Sequence, residues 1–464
     1  MKYGGLLLAA CVTALTDTAV AAPFKSGTAT IDITPPIGYR MSGYFHERLS
    51  EGTKDPLLAK AIVFSQGDVV AALVCCDIIG IDPKVSRESR QLIASRFGIP
   101  AENVSITATH SHTGPLYWCA LRDQFHKAAV AREGHDPQEV FDYAAFLVKQ
   151  LVAVAGNAKE QLQEVRISAG FGHESRVAFN RRFLMKDGHA KTWIGLKHPE
   201  VVGVAGPIDP EIGLIRFDAV SDNKPCSVIS SYALHLDTVG GKLYSADFPL
   251  YVQQALSRTY GEGVTSVFGI GTCGDINHVD TEAKERNSTE AIGGMLAESI
   301  LKALPELETT ANPSLAVRRT VFEVPVQQYS ADEVAVATKE MEKFGPKGSG
   351  PADPVLTYKI VALQVYAEAT MTMEVQAFRL GENVAIVTLP GEVFVEFGLQ
   401  IKAASPFDTT LVIELANDAP GYIPTKKAFA EGGYETVNSR ITPGGGERMV
   451  EVAIAMLKEL REDS

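Results

Sequence analysis

Short apolar runs bounded by Gly, Pro and Asn alternate along the chain with segments whose apolar residues recur every third or fourth position. The first pattern fits buried strands, the second helices packed on one face. Their alternation predicts an α/β fold, a mixed β-sheet core flanked by helices. Strands are expected over residues 69–76, 104–109, 213–217, 227–234, 265–270, 383–389 and 410–415, and helices over 86–97 and 139–158. A closing helix over 447–460 places Met449, Val452, Ala455, Met456 and Leu460 on one face. Two stretches read as loops: 116–136, with scattered aromatics and histidines, and 344–354, rich in Gly and Pro and read as an excursion between strands. No internal repeat interrupts this order.

Several of the predicted strands end in the same way. Residues 104–109 run into His110-Ser111-His112-Thr113-Gly114-Pro115, and 227–234 into His235-Leu236-Asp237. Residues 265–270 lead to Cys273-Gly274-Asp275 and His278, and 383–389 to Pro390-Gly391-Glu392. Functional groups of open α/β sheets collect outside the carboxyl ends of strands. His110 and His112 are two apart, so in extended chain both imidazoles point to one side. Neutral imidazoles and a carboxylate form a normal zinc donor set. The pattern therefore predicts a metal site at the strand carboxyl ends around His110, His235 and Glu392; His-x-His alone would equally suit a structural histidine pair. The chain has no G-x-S-x-G elbow, no H-E-x-x-H helix and no P-loop. Cys119 and Cys273 read as core residues rather than nucleophiles.

Composition narrows the setting. A chain of 464 residues can bury a large core. Its formal net charge of −13, with no basic stripe, argues against a nucleic-acid partner and leaves at most peripheral membrane contact through a local apolar patch. Lys2, the apolar run 3–15 and Ala19-Val20-Ala21 predict a signal peptide over 1–21, hence a secreted or periplasmic protein. Leu8-Ala9-Ala10-Cys11 also matches a lipobox, which would anchor the chain through Cys11. No later run is long and apolar enough to span a bilayer. Cys75, Cys76, Cys119, Cys226 and Cys273 contain no C-x-x-C pair and leave room for one bridge.

Ala29-Thr30-Ile31-Asp32-Ile33-Thr34-Pro35-Pro36 opens the mature chain. Asp55-Pro56-Leu57, Thr107-Ala108-Thr109-His110-Ser111-His112-Thr113-Gly114-Pro115, Phe179-Asn180-Arg181, Ser245-Ala246-Asp247 and Pro390-Gly391-Glu392 follow. In this order the segments resemble the neutral, non-lysosomal ceramidases and their bacterial relatives, His-x-His-x-Gly-Pro and Pro-Gly-Glu being the specific ones. The resemblance implies one zinc ion held by His110, His235, Glu392 and a tyrosine, which falls at Tyr422. It further implies His112 as proton-transfer partner, Arg181 as binder of a substrate oxygen and Tyr434 as donor to a developing oxyanion. Asp247 would join the substrate site. The implied reaction is hydrolysis of an N-acyl amide, above all ceramide, to sphingosine and fatty acid.

Two departures qualify what the resemblance implies. The family's Gly-Asp-x-Ser-Pro-Asn turn is here Gly274-Asp275-Ile276-Asn277-His278-Val279, so Asn277 and His278 replace its substrate-facing residues. The family's extra C-terminal β-sandwich is not expected either; residues 22–464 read as one zinc-hydrolase domain. A zinc hydrolase of a different amide, ester or carbohydrate-derived substrate is the first alternative, and a non-catalytic metal-containing binding protein the second.

Overall fold

The computed structural model describes residues 22–366 and 369–462. The expected signal peptide and its rival at Cys11 lie outside the described residues. Val69–Cys76 pairs parallel with Val104–Ala108 at one edge of the larger sheet. Pro225–Tyr232 pairs parallel with Thr265–Ile270 at the other edge. Both pairs are almost wholly buried, which is why these segments carry no charged residue and only apolar, Ser, Thr and other small side chains, apart from Tyr232. Between them Leu58–Gln66, Lys25–Asp32, Gln163–His173 and Glu211–Ala219 run antiparallel to their neighbours. The short Glu308–Thr309 strand completes a nine-stranded sheet.

That sheet does not stay flat. Lys25–Asp32 meets Gln163–His173 only at Lys25↔Glu164 and Ser26↔Gln163. The Thr28 hydroxyl donates to the Thr265 hydroxyl at 3.0 Å, and the Lys60 ammonium to the Ser266 carbonyl at 3.0 Å. The sheet has therefore curled until one edge strand lies against its middle, and the two parallel pairs end near each other.

A second sheet orders Ala316–Pro325, Thr370–Gly381, Val384–Thr388 and Thr409–Ile413, its last pair again parallel. The sheets share one core: Phe64, Phe217, Ile229 and Val267 of the first pack with Phe378, Ile386, Leu411 and Ile413 of the second. The Gly445–Glu462 helix covers the far face of the second sheet with Met449, Val452, Ala453, Met456, Leu457 and Leu460. Ala455, expected on that face, is exposed; the buried stripe runs through Ala453 and Leu457 instead.

Helix ends follow local chemistry. Pro83–Phe97 starts three residues earlier than its apolar pattern, because Asp82 caps it and Pro83 suits the first turn. Tyr143–Glu160 starts at its Asp142 cap rather than at 139. The stretch 116–136 is not a loop: Cys119–Glu133 is a helix. It buries only Leu121, Phe125 and Ala129, one residue per turn, the first two against Leu116, Met341 and Phe344. So thin an apolar stripe among charged residues carries little periodicity. The stretch 344–354 is a loop up to Pro354, but it joins the helices Ala331–Met341 and Pro354–Ala362 and not two strands as expected. Cys75, Cys76, Cys119, Cys226 and Cys273 are all free thiols. Among the described residues no helix is long and apolar enough to cross a membrane.

Phe217 is fully buried at the junction of the sheets, its ring 5.7 Å from that of Phe64. Phe217→Ala should lower stability by about 3–5 kcal/mol, read as a lower urea midpoint. A loss below about 1 kcal/mol would mean that the sheets are held together elsewhere.

Candidate metal centre and active site

The parallel strand ends deliver their polar residues to one place. His110 follows Val104–Ala108 in a left-handed backbone conformation, φ 72°, which a non-glycine residue adopts at a cost of about 1–3 kcal/mol. His235 follows Pro225–Tyr232, and Glu392 follows Val384–Thr388. His110 Nε2 lies 3.0 Å from His235 Nε2 and 3.3 Å from Glu392 Oε2; His235 Nε2 lies 3.6 Å from the same oxygen.

The far side of each imidazole settles its proton. His110 Nδ1 sits 2.7 Å from the Ile79 carbonyl and His235 Nδ1 3.2 Å from the Cys273 carbonyl. A carbonyl only accepts, so each Nδ1 donates, which turns each Nε2 toward the other donors. Burial and the neighbouring His110 hold His235 well below the ordinary histidine range, which keeps it neutral. Burial pushes the Glu392 carboxyl up, but His110, Tyr422 and Arg181 together carry it below the ordinary carboxylate range. Glu392 Oε2 is buried and has no hydrogen-bond partner. Two imidazole nitrogens and a carboxylate oxygen converging this closely need a proton or a cation among them. The donor set, two imidazoles and a carboxylate with carbonyls behind the imidazoles, fits a divalent cation.

The surrounding loops are locked to each other. Gly274 lets the 271–275 turn lie against the Glu392 backbone, where an added Cβ would meet the Glu392 carbonyl at 2.5 Å. Fully buried Glu414 joins the two turns: its Oε1 accepts from Cys273 N–H at 3.2 Å and from the Cys273 thiol at 3.1 Å, while Oε2 accepts from Val393 N–H. Glu392–Val393 in turn pairs with Tyr422–Ile423, setting Glu392 opposite Tyr422.

Arg181 is buried beside this pair. Its Nη2 donates to the Tyr422 hydroxyl at 3.1 Å and to the Gly274 carbonyl at 2.7 Å, and its Nε to Glu435 at 2.8 Å. The Tyr434 ring lies 5.6 Å from Tyr422 and 5.2 Å from Trp193. Burial and the Glu392 carboxylate push the Tyr434 phenol up to about 12, so it keeps its proton as a donor.

His112 stands 4.8 Å from the His110 ring and 5.4 Å from the His235 ring, centre to centre. The three histidines each offer a nitrogen within 4.8 Å of the others. Neither ring nitrogen of His112 has a hydrogen-bond partner, although Asp237 Oδ1 is 3.5 Å from Nδ1. Tyr44 donates to that Asp237 oxygen at 2.9 Å, and Arg48 lies 4.2 Å above the Tyr44 ring while donating to the His112 carbonyl at 2.6 Å. Burial, then His110, holds His112 well below the ordinary histidine range.

Two spaces open from the centre. A groove of about 160 Å³ bordered by His110, His112, Glu392, Tyr422 and Tyr434 continues along Ile79, Leu116, Trp118, Leu121, Leu415 and Ala419. On the other side a pocket of about 460 Å³ bordered by His235 and Arg181 contains Asn277 and His278. Asp247, expected in the substrate site, borders neither space. It is buried with φ 62°, and its carboxylate accepts from the backbone N–H groups of Thr238, Val239 and Phe248, which makes it a loop anchor. Asp275 likewise accepts from Asn180 and Val395 N–H rather than facing the centre.

Tyr44, Asp237, Glu414 and Glu435 escaped the sequence reading. Glu414 had a signal, since it ends an apolar strand just as His235 does; Tyr44 and Glu435 reach the site only by long-range folding. Glu414→Ala leaves the Cys273 and Val393 N–H groups without acceptors and loosens both turns. Metal affinity should fall by about 10–100-fold with the fold intact, as measured by metal titration with circular dichroism; unchanged affinity would remove Glu414 from the support of the site.

A model of the family described as neutral/alkaline non-lysosomal ceramidase, N-terminal, matches residues 24–243. No curated protein matches the chain. Among solved structures, the neutral ceramidase from Pseudomonas aeruginosa shares the fold with a TM-score of 0.73 and 18% identity, covering 95% of this chain and 75% of its own. A ceramidase complexed with C2 superposes with a TM-score of 0.70 and 18% identity, over 95% of this chain and 76% of its own. The family match thus covers residues 24–243, and the fold of the solved ceramidases extends over nearly the whole chain.

Proposed function

We propose that the protein is an exported, zinc-dependent amidohydrolase that cleaves N-acyl amides of the ceramide class, with the ion held by His110, His235, Glu392 and Tyr422. The observation that carries this reading is an apolar groove ending at His110 and the unpartnered Glu392 oxygen, with His235 Nε2 3.0 Å behind His110 Nε2. An apolar lining suits an alkyl chain, whose burial contributes about 0.8 kcal/mol per methylene. When bound, zinc supplies Lewis-acid chemistry, polarising a carbonyl and making water nucleophilic near neutral pH.

The chain's own residues do the rest. His112, neutral and with free ring nitrogens beside the ligands, takes a proton from water and returns it to the leaving amine. Tyr434, still protonated, donates toward the carbonyl oxygen as negative charge develops there. Arg181 holds the Tyr422 hydroxyl in place and adds positive charge beside the same oxygen. The groove walls orient the chain, so the amide is presented in one pose.

The protein loaded with zinc should release free amine from a short-chain N-acylsphingosine, and His110→Ala should abolish release. No release from protein shown to bind zinc would overturn ceramide as substrate while keeping the metal site. A second expectation separates catalysis from mere binding: His112→Ala and Tyr434→Phe should each lower kcat at least about 100-fold with folding intact. Turnover unchanged in both would exclude them from the chemistry.

A further inference from the structure

The two spaces that open from the centre differ in character, and the difference bears on the amine half of the substrate. The groove is apolar along Ile79, Leu116, Trp118, Leu121, Leu415 and Ala419. The opposite pocket presents Asp237, Asn277, His278, Arg286, Asn287 and the exposed Trp193. His278 Nδ1 is buried there with no hydrogen-bond partner, and burial keeps the ring neutral. Asp237 already accepts from Tyr44, and its carboxylate remains one wall of the pocket. An alkyl chain laid against these groups would strip them of water and offer nothing in return. Hydroxyl groups would satisfy them.

A substrate spanning the centre therefore carries one alkyl chain, in the groove, and a compact polar group in the pocket. Resting on the amide hydrolysis proposed above, we infer that the preferred substrate is a single-chain N-acyl amide: a fatty acyl chain joined to a small hydroxylated amine, in place of a long-chain sphingoid base. Asn277 and His278 are neighbours on one turn of this pocket, so both can meet the same polar group. Trp193, held at φ 63° above Arg181, forms a flat side against which such a group can lie.

The chain contains two tryptophans, one beside each space, so the assignment can be read without turnover. Dodecanoate added to Trp193→Phe protein should shift the emission of Trp118, and the same addition to Trp118→Phe protein should leave Trp193 unchanged. A response from Trp193, or none from Trp118, overturns the placement of the chain. The decisive comparison is kcat/KM of the zinc-loaded wild type for N-dodecanoylserinol against N-dodecanoylsphingosine. We expect a preference of at least about tenfold for the serinol amide, reduced to about parity by His278→Leu. Equal or faster cleavage of the sphingosine amide overturns the inference, as does a preference that survives His278→Leu. Cleavage of neither, with the Trp118 response present and zinc bound, overturns amide hydrolysis itself, and the inference falls with it. Should His278→Leu not fold, Arg286→Ala on the exposed loop gives the same comparison, with a smaller expected loss of preference.

Discussion

The structure turns on three atoms that would not tolerate one another alone. The Nε2 atoms of His110 and His235 and the Oε2 of Glu392 lie within 3.0–3.6 Å, all three buried and all three lone-pair bearing. The Nδ1 protons are engaged on the far side by the Ile79 and Cys273 carbonyls, so both Nε2 atoms face the Glu392 oxygen. Such an arrangement persists only where the surrounding fold over-determines it, and where a cation converts repulsion into coordination.

That over-determination has identifiable parts. His110 is held in a left-handed conformation by a chain that must turn immediately after a buried strand. Glu414 ties the Cys273 turn to the Glu392 turn through hydrogen bonds from both. Glu392 is paired to Tyr422 across a two-residue bridge, and Tyr422 is in turn held by Arg181. Remove one tie and the others still point the same way, which is how a donor set stays within tenths of an ångström. The curled larger sheet and the smaller sheet packed on it supply the frame, since their parallel pairs are what bring separate carboxyl ends to one place.

The centre also divides the space around it. Its groove side is built from the 116–121 segment and the loop after Thr409–Ile413; its pocket side from the loops after His235 and Gly274. The donor set and the Asn277-His278 turn therefore sit on different stretches of chain. The His-x-His and Pro-Gly-Glu segments can keep the family pattern while the Asn277-His278 turn departs from it. Chemistry and selectivity are separable in this fold for that reason.

By itself the sequence determined the elements whose burial is unambiguous and the residues that end them. Residues 69–76 are apolar throughout and 265–270 lack charge because both faces of those strands are largely covered, so their bounds are legible without a structure. His110, His235 and Glu392 are legible too, because a polar ligand-type residue directly after a buried strand has few other reasons to be there. The Cys119–Glu133 helix was not, since it buries one residue per turn, and a stripe that thin is indistinguishable from a loop. The place of Asp247 was decided only by the fold: its motif suggests a site residue, yet backbone N–H groups around it claim its carboxylate. Tyr44, Asp237, Glu435 and the polarity of the second pocket likewise exist only in three dimensions. They depend on which loops meet when the larger sheet curls, and loop encounters across hundreds of residues leave no periodic trace in the chain.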